Sequence, residues 1–289
     1  MVSKGGVLVV DKPRGPTSHD VVARVRRALG TRAVGHAGTL DPMATGVLVV
    51  AVGEATKLVA FLSSEDKEYD ATIALGRATD TLDAEGRETE RADVPASWQA
   101  GLDDALQSER ARVMQLPPVY SAIHAKGARS HELARRGEAV ELAERPVAVR
   151  VLEGSGLGEA EIRLRVTVSK SYYVRSLARD LAARLGTVGH LAALRRVRAG
   201  AFSLSEAVAL DSLREDAALL PVALAAARVL PVCTLSDAGV VHARAGRRVP
   251  LEDLSTGAPG EHAWLASGGD LVAIGRVEDG AGRVTRGFG

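Results

Sequence analysis

Two uninterrupted apolar runs, Val7 to Val10 and Val47 to Val52, constrain the fold of this chain more than any other feature. Short, rich in β-branched residues and bounded by turn signals, they read as buried strands. The first ends in a Pro-Gly loop, Lys12 to Pro16, and the second follows a stretch, Gly35 to Gly46, so dense in Gly, Thr, Asp and Pro that it must be a loop. Between them Val21, Val22, Val25 and Leu29 fall at helical spacing. This predicts a helix from about His19 to Leu29, capped by Ser18 and ended by Gly30.

Further on, Glu54 to Leu62 suits a short helix. Tyr69, Ala71, Ile73 and Leu75 alternate with largely polar neighbours, as do Ile162, Leu164, Val166 and Val168, the mark of strands with one buried face. Another strand is expected around Val147 to Leu152, and helices from about Ala96 to Leu106 and His131 to Arg136. A stronger helix, Tyr173 to Leu185, carries a stripe of Val174, Leu177, Leu181 and Leu185, with Arg175 and Arg179 on another face. The acidic stretch Gly76 to Asp93 reads as an exposed excursion, and Tyr120 to Pro146 as a basic insertion. From about Val229 short strand-like pieces (Ala263 to Ala266, Leu271 to Ile274, Arg283 to Thr285) alternate with Gly-rich turns, after a helical connector, Ala217 to Ala227. The expectation is a mixed α+β domain, 1–228, with an antiparallel-rich central sheet, and a small C-terminal β-domain, 229–289.

Composition narrows the function. Cys233 is the sole cysteine, which excludes an internal disulfide and a thiolate metal cluster. The seven histidines are scattered, and no HExxH helix, GxxxxGK[ST] phosphate loop or GxSxG elbow is present. No apolar run reaches the roughly 18 residues that span a bilayer, and the N-terminus lacks a signal-peptide core, so a cytoplasmic protein is expected. The net charge of +1 hides segregation. Met1 to Ser63 carries eight basic against four acidic residues, Ser64 to Arg110 five against thirteen, Ala111 to Arg150 seven against four, and Lys170 to Gly200 seven against one. Solvated helix faces explain such segments as readily as a footprint on nucleic acid, unless the basic ones converge.

The most informative residues lie in Gly35-His36-Ala37-Gly38-Thr39-Leu40-Asp41-Pro42-Met43-Ala44-Thr45-Gly46. An Asp set among three glycines and a proline, just before a strand, is a carboxylate displayed by a stiff backbone. Alone, an Asp before Pro is more often a turn residue. Separated segments raise its significance: Asp11-Lys12-Pro13-x-Gly15-x-Thr17-Ser18, the stretch just quoted, Gly53-x-Ala55-Thr56-Lys57 and Lys67-x-Tyr69. Then come Thr79-Asp80-Thr81-x-Asp83-x-Glu85-Gly86, Pro118-x-Tyr120-Ser121-Ala122, Ser169-Lys170, Tyr173-Val174-Arg175-Ser176 and Leu194-Arg195-Arg196. In order and spacing this set resembles the bacterial tRNA pseudouridine-55 synthases of the TruB type, over about Gly5 to Phe202.

The resemblance implies a pseudouridine-synthase fold, with 1–228 as the catalytic domain and 229–289 as a PUA-like RNA-binding β-barrel, no cofactor and no metal. It also implies a tRNA T-stem-loop as partner, with no obligatory protein partner; a monomer is expected because no coiled-coil or large exposed apolar stripe in the sequence demands assembly. Such enzymes break the bond from ribose C1′ to uracil N1, turn the base, and rejoin C1′ to C5. By similarity Asp41 is the catalytic carboxylate, as nucleophile at C1′ or as the base that starts elimination. Arg175 is its guanidinium partner, which favours the ionised form, and Tyr69 stacks on the target base. His36, Lys12, Tyr173, Leu194, Lys126 and Arg129 contact or shape the RNA site. The bland readings are a solvated helix arginine for Arg175, strand packing for Tyr69, a structural loop histidine for His36 and core packing for Leu194. The sequence departs from the family at His124 (commonly Lys), His131 (commonly Tyr) and Ser171-Tyr172 (a small pair). Two alternatives stay open: an RNA-binding or RNA-folding module without turnover, and the same chemistry on another RNA.

Overall fold

The computed structural model describes residues 5–121, 123–125 and 127–289. Its larger sheet is built from β1 (Gly5–Lys12), β2 (Val34–His36), β3 (Thr45–Gly53), β4 (Lys67–Leu75), β5 (Val149–Leu157), β6 (Glu161–Val168) and β7 (Gly189–Ala199). The path across it runs β5–β6–β4–β7–β3–β1, closed at the far edge by Val208–Ala209, with β2 beside β3. Neighbours are antiparallel except β7 with β3 and Val208–Ala209 with β1.

Helices α1 (Ser18–Ala28), α2 (Leu102–Arg110) and α3 (Val174–Arg184) cover one face, where Val21, Val25, Leu106, Leu177 and Leu181 pack on Leu8, Leu48, Ile73 and Leu164. The other face is covered only over β1 and β3, where Leu58, Leu62, Ala225 and Phe288 meet Val7, Val9, Val47 and Val49. That difference accounts for the two apolar patterns. Strands β1 and β3, buried on both sides, are continuous, whereas β4 and β6 alternate because Asp70, Thr72, Arg163 and Arg165 face outward.

Several expectations need correction. Thr17, not Ser18, caps α1: its hydroxyl accepts from the Asp20 amide while the Asp20 carboxylate accepts from the Thr17 amide. The central strand β7 has no alternating pattern to announce it, since Arg195, Arg196 and Arg198 interrupt it. Only Val222–Ala227 of the connector is helical. The Gly76 to Asp93 stretch is not wholly exposed. It forms a hairpin, Arg77–Thr79 with Glu88–Arg91, in which Thr79 at the strand end and Asp83 in the connection are buried.

Residues 232–287 build a five-stranded curled sheet: β8 (Val232–Thr234), β9 (Val249–Pro250), β10 (Gly260–Leu265), β11 (Leu271–Glu278) and β12 (Ala281–Gly287), in the order β8–β10–β11–β12–β9. A helix, α4 (Asp237–Arg244), packs on it, an element unread in the sequence. Trp264 is fully buried at its centre, and a Cβ at Gly275 would stand 2.1 Å from the indole, so that position is reserved for glycine. Among the described residues no helix is long and apolar enough to cross a membrane.

Candidate active site

The turn carrying Asp41 is held carbonyl by carbonyl. Gly46 lets β3 start against β7: its φ is +102°, and a Cβ there would lie 2.2 Å from the Arg196 carbonyl oxygen. Arg196, opposite Gly46 and 1% exposed, turns its guanidinium back beneath the loop. Its Nε donates to Val47 O (2.7 Å), Nη2 to Gly38 O (3.0 Å) and Nη1 to Thr39 O (3.3 Å). Ser18 Oγ donates to Leu40 O (3.0 Å) and accepts from Leu40 N (2.8 Å). Asp41 O accepts from Ala44 N (3.1 Å), and Pro42 O from Gly15 N (2.9 Å) and Lys12 Nζ (3.2 Å). Every carbonyl from Gly38 to Pro42 therefore has a donor, and a loop so satisfied keeps one conformation.

Arg175, in the first turn of α3 and 5% exposed, meets that turn from above. Its Nε lies 2.9 Å from Asp41 Oδ2 but is not aligned as a hydrogen bond, so the contact is an ion pair. Nη1 donates to Thr81 O (2.9 Å) and stands 3.8 Å from Asp83 Oδ2, while Nη2 donates to Tyr120 O (2.9 Å). Asp83 in turn accepts from Thr81 Oγ1 (2.6 Å) and Glu85 N (3.1 Å). A buried guanidinium needs compensation, and here the acidic segment supplies it. That is why Asp83 is inside. Its signal was the Thr79 to Gly86 motif, which the net charge of the stretch obscured.

Asp41 opens into a cavity of about 420 Å³, also lined by Tyr69, Arg175, Tyr173, Leu194, Lys67 and Lys170. Five sequence-selected residues thus converge. Tyr69 is 9% exposed, with Arg196 opposite it on β7 and Val166 on β6. Tyr173 stands at the N-cap of α3. Buried Gln115 accepts from its amide (2.8 Å) and donates to its carbonyl (3.2 Å). The Tyr173 phenol is raised above its ordinary pKa, chiefly by burial, although a hydrogen bond with Ser121 opposes this. Lys67 was not singled out. It is 6% exposed and donates to Ser63 O (2.7 Å) and to Glu65 O, and burial with the Arg196 charge lowers its pKa to about 8.

Other selected residues lie elsewhere. Lys12 is not in the cavity wall; wholly buried under the turn, it donates to Pro13 O and Pro42 O. Burial lowers its pKa to about 8, against the opposing charge of Asp41. His36 also stands outside the wall, on β2, its ring edge-on to His19 with centroids 5.4 Å apart. Its pKa is lowered by burial first and then by the neighbouring His19 and Arg196 charges, and its buried Nδ1 has no partner among the described residues. Lys126 lies outside the described residues. Arg129 is described in its backbone only, on the short strand Ala128–Arg129. A larger concavity of about 800 Å³ opens on the outward face of β4 and β6, lined by Arg163, Arg165 and Asp70. It contains none of Asp41, Tyr69 and Arg175, so the larger of the two concavities is not the one these residues share. Among the described residues no cluster of His, Cys, Asp or Glu could hold a metal ion.

A sequence model of the TruB family pseudouridylate synthase N-terminal domain matches residues 26–174, and one of the tRNA pseudouridylate synthase B C-terminal domain matches 175–230. The chain belongs to the TruB family. It is 43% identical over 284 residues to tRNA pseudouridine synthase B of Thermobifida fusca (strain YX), covering 96% of each chain. It is 42% identical over 289 residues to the protein of that name from Paracoccus denitrificans (strain Pd 1222), covering 98% of this chain and 96% of the relative. Among solved structures, a chain of a Cbf5-Nop10-Gar1 complex superposes with a TM-score of 0.75 at 26% identity, covering 99% of this chain and 84% of that one. One from an H/ACA RNP bound to a substrate RNA containing 2′-deoxyuridine gives 0.74 at 25%, covering 98% and 85%. The mixed α/β fold is therefore that of TruB and Cbf5.

Proposed function

We propose that this TruB-family chain converts uridine 55 in the T-loop of tRNA to pseudouridine, with Asp41 as the catalytic carboxylate. The observation that carries the reading is the Asp41–Arg175 ion pair, 2.9 Å, at the wall of a cavity that also holds Tyr69 and Leu194. A target uridine is inaccessible at C1′ and C5 inside a folded loop, so it must first be everted into this cavity. The Asp41 side chain keeps about a third of its surface open, and among the described residues nothing but Arg175 pairs with it. One oxygen is thus held by the guanidinium, and in this reading the other meets the ribose. The carboxylate either attacks C1′ or removes the proton from C2′, and in both routes the C1′–N1 bond breaks with its electron pair leaving on uracil. The base turns against the Tyr69 ring, a face that binds any orientation of a flat heterocycle. C5 then joins C1′ as the C1′–O bond to Asp41 breaks, or, in the elimination route, as the proton returns to C2′; C5 gives up its proton to solvent and N1 takes one up, so the product is an isomer formed without redox change.

In this reading Arg175 aims the Asp41 carboxylate through their ion pair, Tyr173 and Leu194 shape the wall, and His36 acts at the rim on the everted strand. Lys12 supports the turn, and Lys126 and Arg129 of the insertion meet the RNA backbone. Residues 1–228 form the catalytic domain and 229–289 a PUA-like RNA-binding domain. The protein works in the cytoplasm as a monomer without an obligatory protein partner. The test is tritium release from T-loop RNA labelled at uracil C5. The parent is expected to release label, and Asp41→Asn to lower the rate by at least about a thousandfold. Equal release by both proteins defeats the role of Asp41. Release by neither, with RNA still bound, favours a binding module without turnover.

A further inference from the structure

Thr17 already caps α1, so the neighbouring Ser18 hydroxyl is surplus to the helix, yet it is 1% exposed and fully used. It donates to Leu40 O (3.0 Å) and accepts from Leu40 N (2.8 Å), a reciprocal clamp across 22 residues of chain. Those two groups belong to the peptide planes on either side of Leu40, and the second of these planes ends at the Asp41 nitrogen. Fixing both planes fixes the N–Cα bond of Asp41, and with the plane beyond it held by the Ala44 bond to Asp41 O (3.1 Å) this sets the direction in which the Cα–Cβ bond leaves the turn. The other carbonyls of the turn have donors of their own in Arg196, Ala44, Gly15 and Lys12. Among the described residues Leu40 has Ser18 alone, so no second donor there replaces it. We propose that Ser18 is a positioning residue for the isomerisation: without touching substrate, its hydroxyl holds the Leu40 peptides so that the Asp41 carboxylate meets Arg175 and the ribose. This rests on the assignment of Asp41 as the reacting carboxylate.

Because a displaced reacting group costs rate steeply while remote binding contacts persist, the clamp acts on turnover and not on RNA affinity. The experiment compares Ser18→Ala with Thr17→Ala, which removes the cap of the same helix and leaves the clamp intact. Thermal melts establish folding, anisotropy gives the affinity for a T-stem-loop RNA, and single-turnover tritium release gives the rate. The expected result is a fall of about tenfold or more for Ser18→Ala at unchanged affinity, with Thr17→Ala within about twofold of the parent although it melts lower. Ser18→Cys, which keeps a weak donor and acceptor, is expected to fall between parent and Ser18→Ala, and it takes the place of Ser18→Ala should that variant not fold. The proposal is overturned if Ser18→Ala keeps the parent rate, if Thr17→Ala slows as much, or if rate and affinity fall together. An inactive parent would instead overturn the isomerase reading, whatever Ser18 does.

Discussion

At the scale of single residues, burial sets what a charge can do. Lys67 has its ammonium inside the cavity wall, with carbonyl acceptors from Ser63 and Glu65 and, among the described residues, no carboxylate in direct contact, and its pKa falls to about 8 from 10.5. The sign of the effect on stability follows. Below pH 8 folded and unfolded chains both hold the proton, and the cost of the buried charge is felt in full. Between about 8 and 10.5 only the unfolded chain holds it, so stability rises with pH at up to about 1.4 kcal/mol per unit. From pH 8 to 9.5 the parent is expected to gain about 1 to 2 kcal/mol over Lys67→Met in urea unfolding. Parallel curves would show that Lys67 does not titrate there. Lys12, with the same shift, contributes its own rise to both proteins. The same scale shows what the sequence conveyed of the site. Asp41, Tyr69 and Arg175 were legible through family motifs, since spacing alone left each with an ordinary structural reading. Ser18 was not, because adjacent Thr17 and Ser18 suit an N-cap equally and only the tertiary partner Leu40 separates them. Arg196 was visible in a motif, but nothing in the chain says that a guanidinium spends its donors on backbone carbonyls.

Elements were legible where burial repeats in a simple period. The inward residues of β4 and β6 and the stripe of α3 lie in the main core where their spacing placed them. Strand β7 escaped because it serves two environments at once. Arg196 faces the turn, whereas Arg198 pairs with Glu68 (3.0 Å) on the face away from Tyr69. Helix α2 runs further than its pattern suggested, to Arg110, because Glu109 is drawn inside by Tyr172 OH (2.8 Å) and Arg112 Nε (2.5 Å). That contact also gives the departure at Ser171-Tyr172 a physical content: the larger Tyr172 ties α2 to the residue before Tyr173. Its neighbour bears a backbone cost, for Ser171 sits at φ +70°, where a side chain is disfavoured by about 1 to 2 kcal/mol. Ser171→Gly removes that cost and adds back part of it as unfolded-chain entropy. A net stabilisation of about 0.5 to 1 kcal/mol is expected from the urea midpoint, and a lower midpoint would show that the Ser171 side chain contributes more than its strain.

For the whole molecule, the charge segregation of the sequence overstates the surface offered to RNA. All three basic segments reach the cavity wall, but the first and third do so through residues such as Asp41 and Ser121, and among their described residues only the fourth brings cations to it, Lys170, Arg175 and Arg196. Folding nevertheless consumes much of their charge. Of the seven basic residues from Lys170 to Gly200, Arg175, Arg179, Arg195 and Arg198 are paired with carboxylates and Arg196 with carbonyls. Arg195 and Arg198 belong to an ion-pair lattice on the outward face of the sheet, with Arg165–Asp70 and Arg150–Asp66. Such cations release no counterions when RNA arrives, because their charge is already matched. Lys170 differs. It is exposed at the cavity, and among the described residues no carboxylate pairs with its ammonium. If it meets a phosphate of the bound stem-loop, Lys170→Ala lowers the slope of log affinity against log salt by about one and weakens binding alike for all stem sequences. Arg198→Ala, which removes a cation already matched by Glu68, is expected to leave that slope unchanged. Anisotropy titrations between low and physiological salt separate the two, and equal slopes for parent and Lys170→Ala would remove Lys170 from the RNA footprint.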